Sequence, residues 1–447
     1  MFSTIRNAVR IPELRKKLLF TFFMMVVFRF GAHIPVPFLS ADAMKAFLGN
    51  GTDLFALFDV FTGGAFSNAT VMALGVSPYI NASIIIQLLT VAIPALERLA
   101  KEGAEGRKKI NKITRYTGIV LAFVQGAGLY VTLHNIGVEN SLAAIQNESV
   151  LTFFIITLTF TAGTAFVVWL GEQITDKGVG NGISLLIFAG IVSRIPSGCY
   201  AIYNQFLANG VRTIWSVALA LGIAVVAIGA IVLVVLFDTA ERRIPVQYAK
   251  RVVGRKMYGG QSTYIPFKVN PSNVIPLIFA SSILTLPLTI FSNLGNSQNS
   301  ARWVARLSAI LAPNGMWYNI LLVLLIIFFA YFYTQVTLNP TEIARNIREN
   351  GGSIPGVRSD KTEEYLTKIL NRLILPGSLF LALIAVIPTV VQNWFGFPQS
   401  ISMLMGGTSL IIMVGVDLDT MSQVEALLKM HHHEGLTKKG KIRSRSL

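Results

Sequence analysis

The stretch that decides the fold is VSPYINASII, residues 76–85, which returns later in the chain as VIPLIFASSI, residues 274–283. Both copies lie in long apolar runs, and the first run extends over residues 73–94. The copies share identical residues at equal spacing, namely Val76/Val274, Pro78/Pro276, Ile80/Ile278, Ala82/Ala280, Ser83/Ser281 and Ile85/Ile283. Membrane helices rich in Ile, Ala and Ser can also match by chance, but the spacing favours two copies of one element.

The composition is that of a membrane protein. Of the 447 residues, 53% are hydrophobic and only 13% are charged, whereas about 25% are charged in soluble globular proteins. The net charge of +16 would suggest nucleic-acid binding in a soluble chain. In a membrane protein it must first be compared with the placement of Lys and Arg among the loops. Cys199 is the only cysteine, which excludes an internal disulfide and a cysteine-based metal site.

Apolar runs of about 20 residues, the length needed to cross a bilayer, recur along the whole chain. They predict an all-α membrane protein with ten transmembrane helices, near residues 18–38, 72–94, 114–135, 150–170, 182–199, 214–237, 271–292, 316–337, 374–394 and 401–420. The predicted organisation is a segment 1–17, a first half 18–199, a second half 200–420 with large loops 238–270 and 338–373, and a basic tail 421–447.

The basic residues test this topology independently of hydropathy. Nearly all of the 38 Lys and Arg residues fall before the first span, in the even-numbered connections or in the tail. The exceptions are Arg29 within the first span and, on the opposite side, Lys45, Arg194, Arg212, Arg302 and Arg306. By the positive-inside rule both termini are cytoplasmic. The basic character of the chain therefore needs no nucleic acid to explain it.

An odd number of spans in each half makes the second half enter the membrane from the opposite side. The repeated stretch then lies on the second span of each half, as expected for an inverted structural repeat about an axis in the membrane plane. Two related helices would face each other across the centre of the molecule.

A segment between the first two spans, LFALFDVFTGGAFSN at residues 54–68, is half apolar and too short to cross the membrane. It can be a re-entrant segment, because irregular backbone at membrane depth is tolerated where protein or water covers it. It can equally be an amphipathic helix that lies on the outer leaflet. The residues alone leave both interpretations open.

Residues that carry chemistry are sparse within the spans. Arg29 is the only charge well inside one, and we interpret it as a structural arginine that reaches for the outer interface. GVGNG, residues 178–182, lacks the Lys-Ser/Thr of a phosphate loop; it predicts a tight turn with Asn181 as N-cap of the next helix. We predict no catalytic group, cofactor or metal site, the histidines at 431–433 included.

Two rival classes are considered on the same residues. The lack of midplane carboxylates argues against an ion-coupled transporter of small solutes, and a membrane scaffold without a pore is the second rival. Two cytoplasmic loops, GRKMYGGQS at 254–262 and GGSIPGVRSD at 351–360, are predicted to be flexible, basic and protruding. They favour docking of something large and negatively charged, such as RNA or an acidic protein surface.

Seven collinear motifs carry a resemblance to a known family: GVSPYINASIIIQLL (75–89), KEGAEGRKKI (101–110), WLGEQITDKGVGNGIS (169–184), ERRIPVQYAKR (241–251), QSTYIPFKVN (261–270), IPLIFASSIL (275–284) and GGTSLIIMV (406–414). In these motifs the chain resembles the SecY family, the central subunits of the bacterial or plastid Sec protein-conducting channel. The resemblance covers about residues 14–423. It implies ten helices in two inverted five-helix halves around a central pore.

The resemblance implies a channel, not an enzyme, that moves unfolded secretory polypeptides across the membrane and releases transmembrane segments laterally into it. A ring of aliphatic side chains at the waist would fit around many side chains without conducting ions when idle. The matching ring positions are Val76, Ile80, Ile187, Ile278 and Ile412. The segment near 54–68 would be a plug, which favours the re-entrant interpretation, with Asp59, Phe61, Gly63, Gly64 and Phe66 as its residues.

A lateral gate between spans two and three and spans seven and eight is also implied. Its polar residues would be Asn81, Gln87, Gln125 and Asn270. In hydrocarbon such hydrogen bonds are worth about 0.6–2 kcal/mol each, which is enough to bias a closed state. Pro78 and Pro276 would each delete one helical hydrogen bond and let the gate helices flex.

The resemblance finally implies partners and a location. Arg255, Lys256 and Arg358 would dock the ribosome and the SecA motor. The expected partners are the SecE and SecG subunits, the SecA ATPase, the ribosome with its nascent chain, signal sequences and membrane lipid. The expected location is the bacterial plasma (inner) membrane, as a multi-pass protein with both termini inside; the thylakoid membrane is the alternative.

Overall fold

The chain is mainly helical, and the computed structural model describes residues 2–49, 59, 62–140, 145, 149–204, 214–248, 251–253, 256–258, 262–284, 315–395 and 407–438. The helices are α1 (Phe2–Arg10), α2 (Pro12–Gly31), α3 (Ala41–Gly49), α4 (Ser77–Ala92), α5 (Pro94–Lys101), α6 (Ala104–Asn140), α7 (Val150–Lys177), α8 (Gly182–Val192), α9 (Ile195–Tyr203), α10 (Ile214–Thr239), α11 (Ile275–Leu284), α12 (Met316–Thr337), α13 (Pro340–Glu349), α14 (Thr362–Phe395) and α15 (Thr408–Lys438). The strands are β1 (Glu241–Tyr248), β2 (Arg251–Val253), β3 (Lys256–Tyr258), β4 (Ser262–Lys268) and β5 (Gly352–Ser353).

Several of these helices suit a membrane. Within the described residues, 6 helices are long and apolar enough to cross a bilayer, or up to 7 if the bent pair α4–α5 counts as one span. The apolar window of α10 has a mean hydropathy of 2.8, yet only 17% of it is buried inside the protein. So large an exposed apolar surface is typical of a helix that contacts lipid.

The ends of the helices differ from the ends of the apolar runs. Helix α2 begins at Pro12, in the first turn, where proline is favoured, so the basic residues before the apolar run are helical. Helices α6 and α14 have 37 and 34 residues and begin well before the predicted spans at 114 and 374. Hydropathy marks only the apolar part of a helix, because Lys, Arg and Glu are also good helix formers.

The chain divides into two compact units, residues 1–197 with 416–447, and residues 198–415. In the first unit a buried apolar cluster joins α3, α6 and α7 to the segment before α4. Its members are Val36, Leu39, Ala43, Met44, Phe66, Ala69, Ala73, Leu74, Leu129, Leu133, Ile145, Ile156 and Phe160. Helix α15 also packs within this unit, where Val424 contacts Ala8 and Val179.

The second unit contains a small sheet. Strand β1 pairs antiparallel with β4, from Glu241↔Lys268 to Gln247↔Ser262, and β5 pairs with its other edge. Helices α13 and α14 cover one face, and we call this assembly the platform. Its buried cluster is Ile244, Val246, Phe267, Ala330, Ala344, Ile347, Ile354, Leu366, Ile369, Leu370 and Ile374.

The platform corrects one prediction from the sequence. Residues 351–360 were expected to form a flexible loop, but Gly352 and Ser353 form β5 and Ile354 is 3% exposed. Of the other loop, the structure describes only residues 256–258 and 262, which lie in β3 and β4. Ile244 and Val246 are buried in β1, and the residues between and before them are exposed. In the sequence this appears as alternation of apolar and other residues, the pattern that predicts a half-buried strand.

The repeat found in the sequence is also a structural repeat. Gly75 has φ +54° and Asn273 has φ +52°, a left-handed conformation that glycine and asparagine tolerate best. In both copies a valine follows, and its carbonyl accepts the first helical hydrogen bond, from Ile80 N (3.1 Å) and Ile278 N (3.2 Å) respectively. Gly75 and Asn273 are different residues, yet the backbone has the same conformation at both positions. This similarity supports the duplication of one element.

The repeated prolines begin the helices and do not interrupt them. Pro78 lies in the first turn of α4, and Pro276 is the second residue of α11. Amide groups in the first turn have no partner within a helix, so proline removes no hydrogen bond there. The prediction that these prolines delete a helical bond and create a flexible point is therefore wrong. The break in the first copy follows α4, where α5 turns by 101°.

A second hydrogen-bonding feature precedes each repeated helix. In the first half Val71 N donates to Ile34 O (2.9 Å), and Pro35 and Thr70 form an isolated antiparallel bridge. In the second half Val269 N donates to Ala240 O (2.9 Å), and the ladder between β1 and β4 starts directly beside it. In the first half, residues 36–69 lie between the two hydrogen-bonded strands of chain that precede α4. In the second half, the β1–β4 hairpin lies at the equivalent place before α11.

Candidate functional site

The predicted ring residues occupy comparable places within each unit. Val76 is the N-cap of α4 and Ile80 lies one turn later, while Ile187 is buried in α8; all three belong to the first unit. In the second unit Ile278 is half-buried in α11 and Ile412 is 1% exposed in α15. Each unit therefore supplies aliphatic side chains at the predicted positions. That the five form one ring stays a prediction.

The predicted gate residues lie on helices, with different surroundings. Asn81 is buried in α4, while Gln87 in α4 and Gln125 in α6 are half-buried. Gln87 is six positions after Asn81, so the two side chains project about 120° apart around the helix and point in different directions. Gly118 of α6 lies so close to α4 that a Cβ there would be 3.3 Å from Tyr79 Cα, which makes this helix pair tight.

Asn270 is fully engaged within its own unit. It is 2% exposed, and its amide donates to Asp238 Oδ1 (3.0 Å) and to Asn273 O (3.2 Å). The Ser272 hydroxyl donates to its side-chain oxygen at 3.5 Å. Asn270 thus ties the end of α10 to the turn that starts α11. A bridge from Asn270 across a lateral gate stays a prediction and would have to exchange these bonds.

The segment between α3 and α4 is irregular but buried. Thr62, Gly63, Gly64 and Phe66 are all shielded from solvent, and Phe66 is 2% exposed in the cluster of the first unit. Phe61 lies outside the described residues. An amphipathic helix on the leaflet would leave its polar face exposed to water. The burial of this irregular segment therefore favours the re-entrant interpretation, because irregular backbone at membrane depth requires such cover. We call residues 59–70 the outer segment.

Two glycines of the outer segment lie in close contact with two arginines. Gly63 and Gly64 have φ +64° and +92°, which side-chain-bearing residues rarely adopt. A Cβ on Gly63 would be 2.6 Å from Arg29 Nη1 and 2.8 Å from Gly190 O. A Cβ on Gly64 would be 3.2 Å from Arg194 Nη2. Glycine is required here both by conformation and by close packing.

The arginines bind the outer segment through specific atoms. Arg29 Nη1 donates to Gly63 O at 2.9 Å. This side chain therefore binds the outer segment, a role that the interpretation as an arginine reaching for the outer interface did not include. Arg194 forms an ion pair with the Asp59 carboxylate and donates to Ser67 Oγ at 3.4 Å. Asp59 Oδ1 also accepts a hydrogen bond from Ser67 N (2.7 Å). The sequence showed these charges but not that they meet, because they are far apart in the chain.

The GVGNG turn has the predicted capping geometry. Asn181 is the N-cap of α8, and its side chain accepts hydrogen bonds from Ile183 N and Ser184 N. Gly182 lies so close to α7 that a Cβ would be 1.9 Å from Gly171 O. Gly180 N donates to Gln423 Oε1 of α15 at 3.0 Å. The turn therefore fixes α7, α8 and α15 to one another in the first unit.

The predicted docking residues are only partly described. Arg255 lies outside the described residues, and for Lys256 only the backbone in β3 is described. Arg358 is exposed on the platform, where its carbonyl accepts from Lys361 N (2.9 Å) to start a short 3₁₀ turn, Ser359–Lys361. Arg243 is exposed on β1, and its hydrogen bond to Glu241 raises the pKa of the guanidinium. The platform thus presents permanent positive charge at its surface.

Together these features define a class of protein: a polytopic membrane protein with a duplicated helix start and a buried, irregular segment before the first copy. The SecY family model matches residues 70–421. Among the relatives, the protein translocase subunit SecY of Streptomyces scabiei is 43% identical over 444 residues, 97% of this chain and 99% of that protein. That of Halalkalibacterium halodurans is 44% identical over 441 residues, 98% and 100% of the two chains. The chain belongs to the SecY family.

Solved structures share the fold. One is a SecY protein whose plug domain is described as stabilising the closed state of the translocation channel and maintaining a membrane seal; it has a TM-score of 0.65 and 21% identity, covering 92% of each chain. Another is Sec61 in the canine ribosome–channel complex from the endoplasmic reticulum, with a TM-score of 0.61, 20% identity and 92% coverage of each chain. The predicted fold class, an all-α membrane protein with ten transmembrane helices in two halves, is confirmed. The role of a protein translocation channel subunit is confirmed with it.

Proposed function

We propose that the chain passes unfolded secretory polypeptides across the bacterial plasma membrane and releases transmembrane segments sideways into the lipid. The observation that carries this proposal is the duplicated helix start, in which Val76 and Ile80 in one copy correspond to Val274 and Ile278 in the other. Duplicated helices that begin inside a membrane protein are a recurrent way to line a central path.

An aliphatic waist suits this task. Val76, Ile80, Ile187, Ile278 and Ile412 are branched and apolar, so a ring of them would fit around many different side chains. Such a constriction offers no polar path, and it excludes water and ions when no polypeptide fills it. The two isoleucines at equivalent positions, Ile80 and Ile278, are both only half-buried within their units. Their remaining surface is what we expect a passing chain to touch.

The outer segment would act as the plug of the idle channel. Its irregular backbone is tolerated only where protein covers it, and it is covered in the first unit. Asn81, Gln87, Gln125 and Asn270 would belong to the lateral gate through which signal sequences and membrane helices reach the lipid. Exchange of hydrogen bonds at Asn270 would accompany gating. The helix pair α4–α6 would move as one piece, because it packs closely at Gly118.

The platform would be the docking surface on the cytoplasmic side. It has its own core, so it holds Arg358 and neighbouring basic residues in fixed positions. Such a surface favours an acidic partner or RNA, which supports the ribosome and the SecA ATPase as the partners that drive transport. With no catalytic group predicted, the chain would depend on them for energy. SecE and SecG are the proposed companion subunits.

The location rests on the distribution of charge. Nearly all Lys and Arg residues fall on one side of the predicted spans, which supports cytoplasmic termini and a multi-pass protein in the plasma membrane. The proposed halves, residues 18–199 and 200–420, follow from the same span count.

Crosslinking to an arrested secretory polypeptide tests the proposal. Cys199 is the single cysteine, so Cys199→Ser gives a background in which one cysteine at a time can be introduced. Ile80→Cys and Ile278→Cys should both form a disulfide with a cysteine in the arrested chain. Ile85→Cys, on the same helix as Ile80 but 37% exposed on another face, is the matched control and should not.

Two results would contradict the proposal. Equal crosslinking at positions 80, 278 and 85 would show that the polypeptide follows no defined path, as in a scaffold without a pore. Ion-driven uptake of a labelled small solute into vesicles, without crosslinking at 80 or 278, would favour a solute transporter.

A further inference from the structure

The outer segment is held at its two ends by different forces. At its apolar end Phe66 and Ala69 belong to the buried cluster of the first unit, as do Ala73 and Leu74 beyond it. The polar end, by which we mean Asp59 with residues 62–64, contributes no side chain to that cluster. It contacts Arg29, Ser193 and Arg194 instead. The two ends are therefore held to their surroundings by different contacts, while hydrogen bonds from Ser67 N to Asp59 and from Phe66 N to Thr62 join them to each other.

The polar end depends on one carboxylate. Asp59 is 8% exposed, and it joins the segment both to Arg194 and, through Ser67 N, to its own later turn. Its carbonyl also accepts a hydrogen bond from Gly64 N at 2.9 Å. Removal of this carboxylate would break the charged link to the end of α8 and the internal link at the same time.

The charges at this place are not balanced. Arg29 and Arg194 both face the polar end, whereas Asp59 is the carboxylate that pairs with Arg194 among the described residues. Arg194 Nε is buried without a hydrogen-bond partner there. The arrangement thus contains an unsatisfied donor. The pair is partly buried, since the Arg194 side chain is 33% exposed and that of Asp59 11%. Such a pair contributes little to stability when intact, but loss of one partner leaves a charge that solvent compensates only in part.

We propose that Asp59 and Arg194 form a charge latch that holds the polar end of the outer segment against the end of α8 and so sets the ion leak of the idle channel. Release of the latch would free Asp59 and residues 62–64 from the end of α8 while Phe66 stays packed, so the seal would open in part without complete displacement of the segment. This inference rests on the proposed function, because it assigns the closing contact of the proposed plug.

The test is the ion conductance of the channel, reconstituted with its companion subunits in planar bilayers without any polypeptide. Asp59→Asn and Arg194→Gln should each raise the leak about tenfold. The double variant should leak no more than the leakier single variant, because residues that share one interaction are not additive. Glu97→Gln, which removes a carboxylate from the exposed Lys101 pair, is the matched control and should leave the leak unchanged.

A milder variant covers the case in which Asp59→Asn does not accumulate in the membrane. Arg194→Lys keeps the positive charge but loses the planar fork, and its leak should lie between those of the wild type and Arg194→Gln. Leaks within twofold of wild type for both neutral variants, or effects that multiply in the double variant, would overturn the latch. Such variants would still transport polypeptide, so the proposed function would stand; failure of the wild type to transport would refute the proposed function itself.

Discussion

Gly63 shows how a single residue can serve both conformation and packing. Its φ of +64° places it in the left-handed region, and Arg29, Ser193 and Gly190 leave no room for a Cβ. Gly103 has a similar φ of +78° but no atom within 4 Å of its Cβ position. A comparison of substitutions at Gly63 and Gly103 therefore distinguishes the free-energy cost of the backbone conformation from that of steric crowding.

Gly63→Ala should destabilise the protein more than Gly103→Ala does. Both changes place alanine in a left-handed conformation, which costs about 1–2 kcal/mol, and crowding at position 63 should add about 1–3 kcal/mol. Thermal unfolding of the purified proteins in detergent measures the difference. Equal melting temperatures for the two variants would show that the contacts around Gly63 yield without cost.

Asn270→Leu should destabilise the second unit and shift the gate. The change removes a buried hydrogen bond to the Asp238 carboxylate, and bonds to charged groups are worth about 1.5–3 kcal/mol. Denaturant unfolding measures the stability, and tolerance of defective signal sequences measures the gating. Asn81→Leu should change gating with a smaller loss of stability, because the Asn81 side chain forms no hydrogen bond with the part of the chain that the structure describes. Unchanged signal tolerance in both variants would remove these residues from the proposed gate.

At the scale of elements, the platform accounts for features that hydropathy could not predict. The sequence led us to expect two flexible loops, yet β1, β4 and β5 form a sheet that α13 and α14 cover. The sheet joins residues about a hundred positions apart, and a local pattern carries no information on such pairing. Alternation in RRIPVQY was visible, but a ten-span topology assigns the whole loop to solvent.

Leu366→Ala should unfold the platform without removing the protein from the membrane. Leu366 is 0% exposed within the platform core, and truncation of a buried leucine to alanine costs about 2–5 kcal/mol. Limited proteolysis from the cytoplasmic side of membrane vesicles should become faster within residues 338–373. Leu375→Ala, a 51% exposed position on the same helix, should be cut at the wild-type rate; equally fast cutting of both would contradict a packed platform.

Arg358→Glu should abolish transport while the chain still inserts normally. Arg358 is exposed at the start of the 3₁₀ turn, so charge reversal should repel an acidic partner and leave the platform core intact. We expect at least a tenfold loss in vesicle transport, which is measured together with the amount of protein in the membrane. Arg345→Glu, at an exposed arginine of α13 that pairs with Glu349, is the control. Normal export with Arg358→Glu would exclude the docking role.

At the scale of the whole molecule, the sequence predicted the number of spans and the duplication but not the internal contacts of the units. Hydropathy and charge bias are local and additive along the chain, so they predict spans well. Contacts such as Asp59 with Arg194, or Gly180 with Gln423, depend on how distant helices pack. Even a close family resemblance indicated that the segment near residues 54–68 forms a plug without indicating which side chains hold it.

Reporter fusions test the topology of the whole chain. A reporter that is active only in the cytoplasm should be active after Lys438 and inactive after Lys45, because charge bias predicts opposite sides for these positions. Fusion after Ser359 in the platform should be active as well. Activity after Lys45 would mean that the span count is wrong for the first half.

The junctions before α4 and α11 have a further consequence for engineering and descent. Each insertion leaves and re-enters the fold between backbone groups that are already hydrogen-bonded, at Pro35 and Thr70 in one half and at Glu241 and Lys268 in the other. Hydrogen bonds fix both ends of each insertion. Its length can therefore vary with little loss of stability, because each doubling of a flexible loop costs only about 0.6 kcal/mol. The two copies of the element thus carry insertions of different kinds, and their hydrogen-bonded ends are suitable graft sites for foreign domains.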